Sequence, residues 1–290
     1  MIKSLNLTAR LTVNVHDMNN EATSGNVSDI RMMDYIDIEG QRREAPAVSG
    51  RMLKHWHLDN AVRLGMDAGL PVCNVCRQGE PLRPDESIRK KDPVQECFIC
   101  DAHGYLVAEK ETIKRNSRVF FSWLMPTLEP ENRVTFKQVI HNRVTSDPKK
   151  MMPFNKSYAS ARYAFVSGLD CDRIGYQEIE MKDVIDESEK KKRITILIEA
   201  YRYLLTGKVG ASQSHALAHM DIDEVLAVIS EKSILPYPVS GIYPDYVEKT
   251  IGIIPDGAEI LGFGQQVAQK RMQVFSNLDE LFSYILGYTK

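Results

Sequence analysis

No window of this chain reaches about 18 uninterrupted apolar residues, the run a membrane-spanning helix requires. The opening Met1-Ile2-Lys3-Ser4-Leu5-Asn6 also lacks the basic stretch followed by a long apolar run that marks a secretory leader. A cytoplasmic protein with no membrane partner is the expectation. Cysteine is scarce and odd in number: there are five, and four of them form two Cys-x-x-Cys pairs. That pattern reads as metal ligation in a reducing compartment rather than a disulfide framework, with Cys171 left over as a buried small hydrophobe. An excess of charge of one sign is missing too. With 37 Lys and Arg against 39 Asp and Glu, the net charge of -2 does not carry the basic excess that general affinity for phosphates usually shows. At 290 residues and 43% hydrophobic content the chain can bury a sizeable core, as one elaborated domain or two modest ones.

Catalytic signatures are missing as well. No His-x-Glu occurs, which disfavours a zinc nucleobase deaminase. His-Glu-x-x-His, Gly-x-Ser-x-Gly and Gly-x-x-x-x-Gly-Lys-Ser/Thr are absent, so metalloprotease, hydrolase-elbow and phosphate-loop readings lose their anchor. Gly207-Lys208-Val209-Gly210 has the wrong spacing for a phosphate loop. The aromatic signature of RNA-recognition domains is also lacking, so base stacking on that surface is not expected. Asp170 and Asp172 keep a metal-dependent nuclease open, and His215 with His219, four apart, could share a helical face. The chain is expected not to be an enzyme.

What is present begins with a strand. Ile2, Leu5, Leu7, Ala9, Leu11, Val13 and Val15 nearly alternate, predicting a half-buried strand that ends at His16-Asp17-Met18-Asn19-Asn20. Ser49 is a candidate N-cap for a helix over 50–64, with Leu53, Trp56, Asn60, Ala61 and Leu64 on one face. Arg51, Lys54 and His55 fall in its first turns, where the helix dipole ordinarily favours carboxylates, so an anion is expected nearby. His57, beside Trp56, reads as a surface or phosphate-contacting residue. Strands are expected over 119–124, 134–144 and 161–169, then a helix over 194–205 closed by Gly207, a strand over 225–229 and an amphipathic helix over 279–288.

Charge is distributed unevenly. From Arg133 to Arg162 seven basic residues (Arg133, Lys137, Arg143, Lys149, Lys150, Lys156, Arg162) face only Asp147. They bracket Met151, Met152 and Phe154 in a hairpin-like excursion, and exposed Met and Phe flanked by lysines need a partner surface. The sharpest local signal is Cys73-x-x-Cys76 and Cys97-x-x-Cys100, separated by 20 residues. Two such turns complete the tetrahedral sulfur shell that one structural zinc ion prefers, leaving no position open for water. The metal would order a segment, residues 66–114, that reads as an insertion with little core of its own.

Taken in order, several segments resemble one family, the DevR-type CRISPR backbone subunits, the seventh Cas family of the repeat-associated RNA-binding (RAMP) superfamily, and most closely its archaeal type I-A branch. The carriers are Leu5 to Val15 with Met18-Asn19-Asn20, Ala47 to His57, Cys100 to Leu106, Asn142-Arg143-Val144, Tyr163 to Asp170 and Gly207 to His215. The resemblance implies an α+β fold, a single elaborated domain with a modified ferredoxin-like core of the RNA-recognition type. Copies would stack helically along one CRISPR RNA within a Cascade complex, beside other Cascade subunits, and meet target DNA by way of the guide. Each copy would hold the RNA backbone and push a hairpin thumb, residues 142–162, between bases, with Met151 and Met152 as the wedge and Lys149, Lys150 and Lys156 meeting phosphates. Other phosphate-facing positions implied are His16, Asn19, Arg51, Lys54, His55, Lys208, Gln213, Ser214 and His215, with Arg143 and Arg162 flanking the thumb. The four-cysteine segment is not implied by the resemblance and rests on spacing. A zinc-bearing DNA-binding transcriptional regulator is the alternative.

Overall fold

The computed structural model describes residues 1–24, 27–108, 112–143, 152–209, 217–264 and 271–290. The first third runs β1 (Ser4–His16), β2 (Asn20–Ser24), β3 (Val27–Ile30), β4 (Met32–Ile36), β5 (Arg42–Pro46) and the long α1 (Gly50–Asp67). The cysteine-bearing segment folds as four short helices, α2 (Asn74–Arg77), α3 (Glu86–Arg89), α4 (Pro93–Glu96) and α5 (Phe98–His103), and a hairpin, β6 (Tyr105–Ala108) and β7 (Thr112–Arg115). Then come β8 (Val119–Phe121), β9 (Met125–Pro126), β10 (Thr135–Arg143), β11 (Met152–Asp170), β12 (Tyr176–Gln177), β13 (Lys182–Asp183) and α6 (Glu187–Leu205). The chain closes with β14 (His219–Ser230), α7 (Tyr246–Ile253), β15 (Glu259–Phe263), β16 (Gln273–Phe275) and α8 (Leu278–Gly287).

At the centre of the large sheet β1 pairs antiparallel with β11 on one side and β14 on the other. Beyond β11 lie β8 and β9, also antiparallel to it. The order β14-β1-β11-β8/β9, with α1 between β1 and β8 and α6 between β11 and β14, is a βαββαβ path in which the two strands joined by each helix are not sheet neighbours. Alternation sorts the side chains. Leu5, Leu7, Ala9, Leu11 and Val13 of β1, Tyr163 and Phe165 of β11 and Val225, Ala227 and Ile229 of β14 join α1, α6 and α8 in the main core.

The opposite face of β1 was expected to be wet. Instead Asn6, Thr8 and Arg10 are buried, because the segment from Leu235 to Ile254 lies over that face. Asn6 Nδ2 donates to the Leu235 and Pro236 carbonyls at 3.0 and 3.1 Å, and Thr8 Oγ1 accepts from Gly241 N at 2.8 Å. Arg10 donates to the Gly241 and Tyr243 carbonyls at 2.6 and 2.8 Å, pairs with Glu129 at 2.5 Å and lies 4.5 Å from the Tyr246 ring centroid. A fully buried guanidinium persists only with such a complete set of acceptors.

The other elements depart from expectation mainly at their ends. The 119–124 strand splits into β8 and β9, with Leu124 bridging to Val48. The strand expected at 161–169 begins at Met152 and that at 225–229 begins at His219. His219 is thus on a strand, not a helix.

Candidate metal centre and nucleic-acid interface

Each Cys-x-x-Cys pair straddles the start of a short helix: Cys73 is the N-cap of α2, which carries Cys76, and Cys97 is the N-cap of α5, which carries Cys100. The turns that open α2 and α5 bring the four sulfurs within 4.8 Å of one another, all of them buried. Cys100 Sγ lies 3.9 Å from Cys73 Sγ and 3.6 Å from Cys76 Sγ. Four sulfurs placed about 2.3 Å from a central zinc are about 3.8 Å apart, so the spacing fits a closed tetrahedral shell. The backbone N–H groups of Cys73 and Cys100 point at Cys97 Sγ from 3.4 and 3.5 Å, a setting that favours a thiolate over a thiol.

The segment does not lack a core. Cys73, Cys76, Cys97 and Cys100, with Phe98, Ile99 and Ala102, belong to the same apolar cluster as β1 and α6. Helix α1 fits against it so closely that a Cβ on Gly65 would lie 2.3 Å from the Phe98 ring. Asp101, the residue after Cys100, is fully buried between two arginines. Its Oδ1 accepts from Arg115 of β7, and its Oδ2 accepts from Arg193 of α6 at 2.8 Å and from Gly175 N at 2.9 Å. The cysteine module is therefore tied by charge-assisted bonds to the helix that covers the sheet.

His57 is not on the surface. It is fully buried, with Nε2 donating to the Leu197 carbonyl at 3.0 Å. That fixes its tautomer: Nδ1 accepts, from His103 Nε2 at 3.2 Å, and His103 Nδ1 is left with a buried lone pair and no partner among the described residues. Burial lowers both pKa values, that of His57 to about 3. This uncharged pair joins α1, α5 and α6 and has no phosphate to meet.

At the other end of the sheet, β10 and β11 form an antiparallel hairpin from Thr135↔Ser160 to Arg143↔Met152. Its pairing with β1 stops at His16↔Ala159, so the outer half of the hairpin projects past the central strand, flanked by β3 at Asn155↔Val27 and Lys156↔Ser28. The excursion expected as a thumb is thus a continuation of two sheet strands. Lys149, Lys150 and Met151 lie outside the described residues, and so do the side chains of Arg143 and Met152. On one face of the hairpin, His141 stacks on Phe154 with centroids 5.3 Å apart, and Tyr158 Oη lies 3.2 Å from His141 Nε2.

Several expected contacts look inward instead. Lys156 is buried and ion-paired with Asp17, so its ammonium is already neutralised rather than free for a phosphate. His16 is 1% exposed, its Nε2 lies 3.0 Å from Tyr163 Oη, and burial lowers its pKa to about 4. A neutral, enclosed imidazole offers no charge to an anion. Asn19 is buried too, and its Oδ1 accepts from Ser49 N at 2.8 Å, so it sets the entry to α1. The hydrophobic strand pattern could not show this, because the burial comes from the β10–β11 hairpin and the entry to α1.

Outward-facing residues do gather around α1. Its N-cap is Ser49, whose Oγ accepts from Met52 N at 3.2 Å, and its first turn holds no acid. A Cβ on Gly50 would lie 2.4 Å from the Phe121 carbonyl oxygen, so the helix can begin this close to β8 only with glycine. Arg51 and His55 are exposed and Lys54 is half-buried; His55 Nε2 is 3.5 Å from Asp59. Lys208 is exposed, and its carbonyl accepts from Asn60 Nδ2 at 2.8 Å, which brings the start of the 207–217 connection against α1. Gln213, Ser214 and His215 lie outside the described residues. Arg162 is exposed on β11, 3.4 Å from Asp223. Arg83, which sequence reasoning missed, stands in this group, its Nε donating to the Gly104 carbonyl at 2.8 Å.

Asp170 and Asp172 do not converge on a metal. Asp170 faces Arg118 at 4.0 Å and Asp172 faces Lys3 at 3.8 Å, and desolvation raises the Asp170 pKa. Among the described residues the four cysteines are the one cluster of three or more metal-ligating side chains. No helix among them is long and apolar enough to cross a membrane.

Comparison with known proteins agrees over most of the chain. The model of the family described as "CRISPR-associated negative auto-regulator DevR/Csa2" matches residues 7–251. A "CRISPR-associated protein Cas7/Cst2/DevR" of Methanocaldococcus jannaschii is 29% identical over 320 residues, covering 97% of this chain and 98% of that protein. A protein of the same description from Thermoproteus tenax is 33% identical over 241 residues, covering 74% of this chain and 71% of its own. A chain of a solved "CRISPR RNA-guided surveillance complex" superposes with a TM-score of 0.61 at 12% identity, covering 99% of this chain and 100% of that one.

Proposed function

Since this chain belongs to the CRISPR-associated DevR/Csa2 family, we propose that it is a non-catalytic backbone subunit of a type I Cascade complex, binding CRISPR RNA along its phosphates and stacking in helical copies. The observation that carries this reading is the β10–β11 hairpin, whose strands run on past the last β1 pair, His16↔Ala159; in this reading it is the base of the thumb assigned to 142–162. The wedge remains assigned to Met151 and Met152, with Lys149 and Lys150 at the phosphates. The βαββαβ core is of the modified ferredoxin type. In RNA-recognition domains the open sheet face stacks bases; here the segment from Leu235 to Ile254 occupies that face, which favours contact with the backbone over base readout. A guide held by its backbone keeps its base edges free to pair with target DNA.

In this reading residues 66–114 carry one structural zinc on Cys73, Cys76, Cys97 and Cys100, which would order the α2–α5 segment and supply no reaction chemistry. Arg51, Lys54, His55, Lys208 and Arg162 remain the phosphate-facing candidates among the described side chains, and Arg143 stays assigned beside the thumb. Co-expression with a CRISPR array tests the proposal: RNA-bearing oligomers are expected, and a nucleic-acid-free monomer would overturn it. The family description as an auto-regulator favours a second reading, a DNA-binding regulator, which preferential binding of promoter duplex would support.

A further inference from the structure

Three cations meet where α1 packs on the cysteine module. Arg51 and Lys54 lie three apart on α1, one turn of a helix, and so share a face with His55. The module reaches this face directly: a Cβ on Gly79 would lie 3.9 Å from Asp59 Oδ1 and 4.0 Å from His55 Cε1. From the same loop comes Arg83, held at Nε by the Gly104 carbonyl at 2.8 Å, immediately after α5. Among the described residues, Asp59 is paired with His55 at 3.5 Å, and Arg51, Lys54 and Arg83 make no ion pair. The chain holds more carboxylates than Lys and Arg together, and its buried arginines, Arg10, Arg115 and Arg193, are each paired with acid. Leaving three neighbouring cations without one is a cost that an external anion removes.

We propose that Arg83 completes a phosphodiester site with Arg51 and Lys54, so that the cysteine module touches the guide RNA itself. This rests on the reading of the chain as a guide-RNA backbone subunit and assigns the module a binding role beyond ordering its own fold. Lys54 senses the same cluster: desolvation first, then Arg83 and Arg51, hold its pKa down to about 8, and a bound phosphate would raise it again. Of the other titratable groups, His57 and His103 lie close enough to sense Lys54, and His55 and Asp59 stand on the same stretch of α1. The two buried histidines stay neutral, and the His55–Asp59 pair is already formed.

The test is fluorescence anisotropy of a labelled single-stranded RNA binding the full chain from 50 to 400 mM salt, roughly the range over which phosphate contacts are read from the salt slope. Arg83→Gln is expected to lower the affinity several-fold and to reduce the slope of log K against log salt by about 0.7 per copy, one phosphate contact on single-stranded nucleic acid. Arg83→Lys keeps the charge and is expected to keep the slope. For the unaltered chain, affinity should also fall as pH rises from about 8 to 10, the interval between the Lys54 value and an ordinary lysine, and Lys54→Arg should remove that fall. Thermal melts separate lost binding from lost folding, and if Arg83→Gln does not fold, the Lys54→Arg profile decides. An unaltered chain that binds RNA, with Arg83→Gln matching its slope or Lys54→Arg matching its pH profile, overturns the proposal alone. An unaltered chain that binds no RNA overturns the backbone-subunit reading beneath it.

Discussion

Replacing Asp101 by Asn removes one negative charge from a site where both oxygens are in use. Oδ1 accepts from Arg115 and Oδ2 from Arg193 and Gly175 N, and the three side chains are almost wholly enclosed. The amide of Asn keeps the shape but turns an N–H toward a guanidinium, leaving two arginines short of a counter-ion. Breaking a buried pair in this way costs roughly 3–5 kcal/mol. Arg193 keeps Glu189 at 2.5 Å and Arg115 keeps Glu178 at 2.9 Å, so the lower end, about 3 kcal/mol, is expected. At roughly 2–4 °C per kcal/mol for a chain near this size, the midpoint of thermal unfolding should fall by about 6–12 °C. Urea unfolding followed by circular dichroism gives the same loss as a lower midpoint at unchanged slope. Glu178→Gln, at a half-exposed carboxylate, is the control and should cost about 1 kcal/mol or less. An Asp101→Asn chain within 1 kcal/mol of the original, or a Glu178→Gln chain equally damaged, would refute the claim that this residue ties the cysteine module to α6.

Further outcomes follow from other sites. Cys97→Ser should abolish stoichiometric zinc in elemental analysis and expose Cys73, Cys76 and Cys100 to thiol reagents; a fully loaded variant would contradict the four-sulfur shell. Gly50→Ala should destabilise the chain by more than the few tenths of a kcal/mol typical of a surface change, because the added Cβ meets the Phe121 carbonyl oxygen at 2.4 Å. His16 and His57, with pKa values lowered to about 4 and about 3, favour the folded state when neutral. Their contribution is complete above about pH 6.5 and declines as pH falls toward 4, by up to about 1.4 kcal/mol per pH unit for each. His16→Phe should therefore show a shallower acid limb of midpoint against pH, and an unchanged limb would count against this assignment.

Period and spacing carried the sequence reading where burial is local. The four cysteines converge as their spacing implied, and α1 and α8 lie within a few residues of expectation, because an apolar face repeats at the helical period. The start of α6 was hidden by the charged run through Lys192, yet Asp186 accepting from Glu189 N at 2.8 Å is a cap that the Asp-x-x-Glu order announces. What could not be read is which polar residues turn inward. His16, Asn19, Lys156 and His57 are of types that suit a phosphate site, and each is enclosed by chain distant in sequence: Tyr163, Ser49, Asp17 and Leu197. The covering of Asn6, Thr8 and Arg10 likewise depends on a segment more than two hundred residues away.

Grip on guide RNA irrespective of its sequence is read out by equilibrium binding to two single-stranded RNAs of equal length and unrelated sequence, beside a duplex DNA of the same length. Equal affinities for the two RNAs, nuclease protection at a regular interval on both, and weaker binding of the duplex are expected. Strong preference for one RNA sequence, or tighter binding of the duplex, would contradict such a grip.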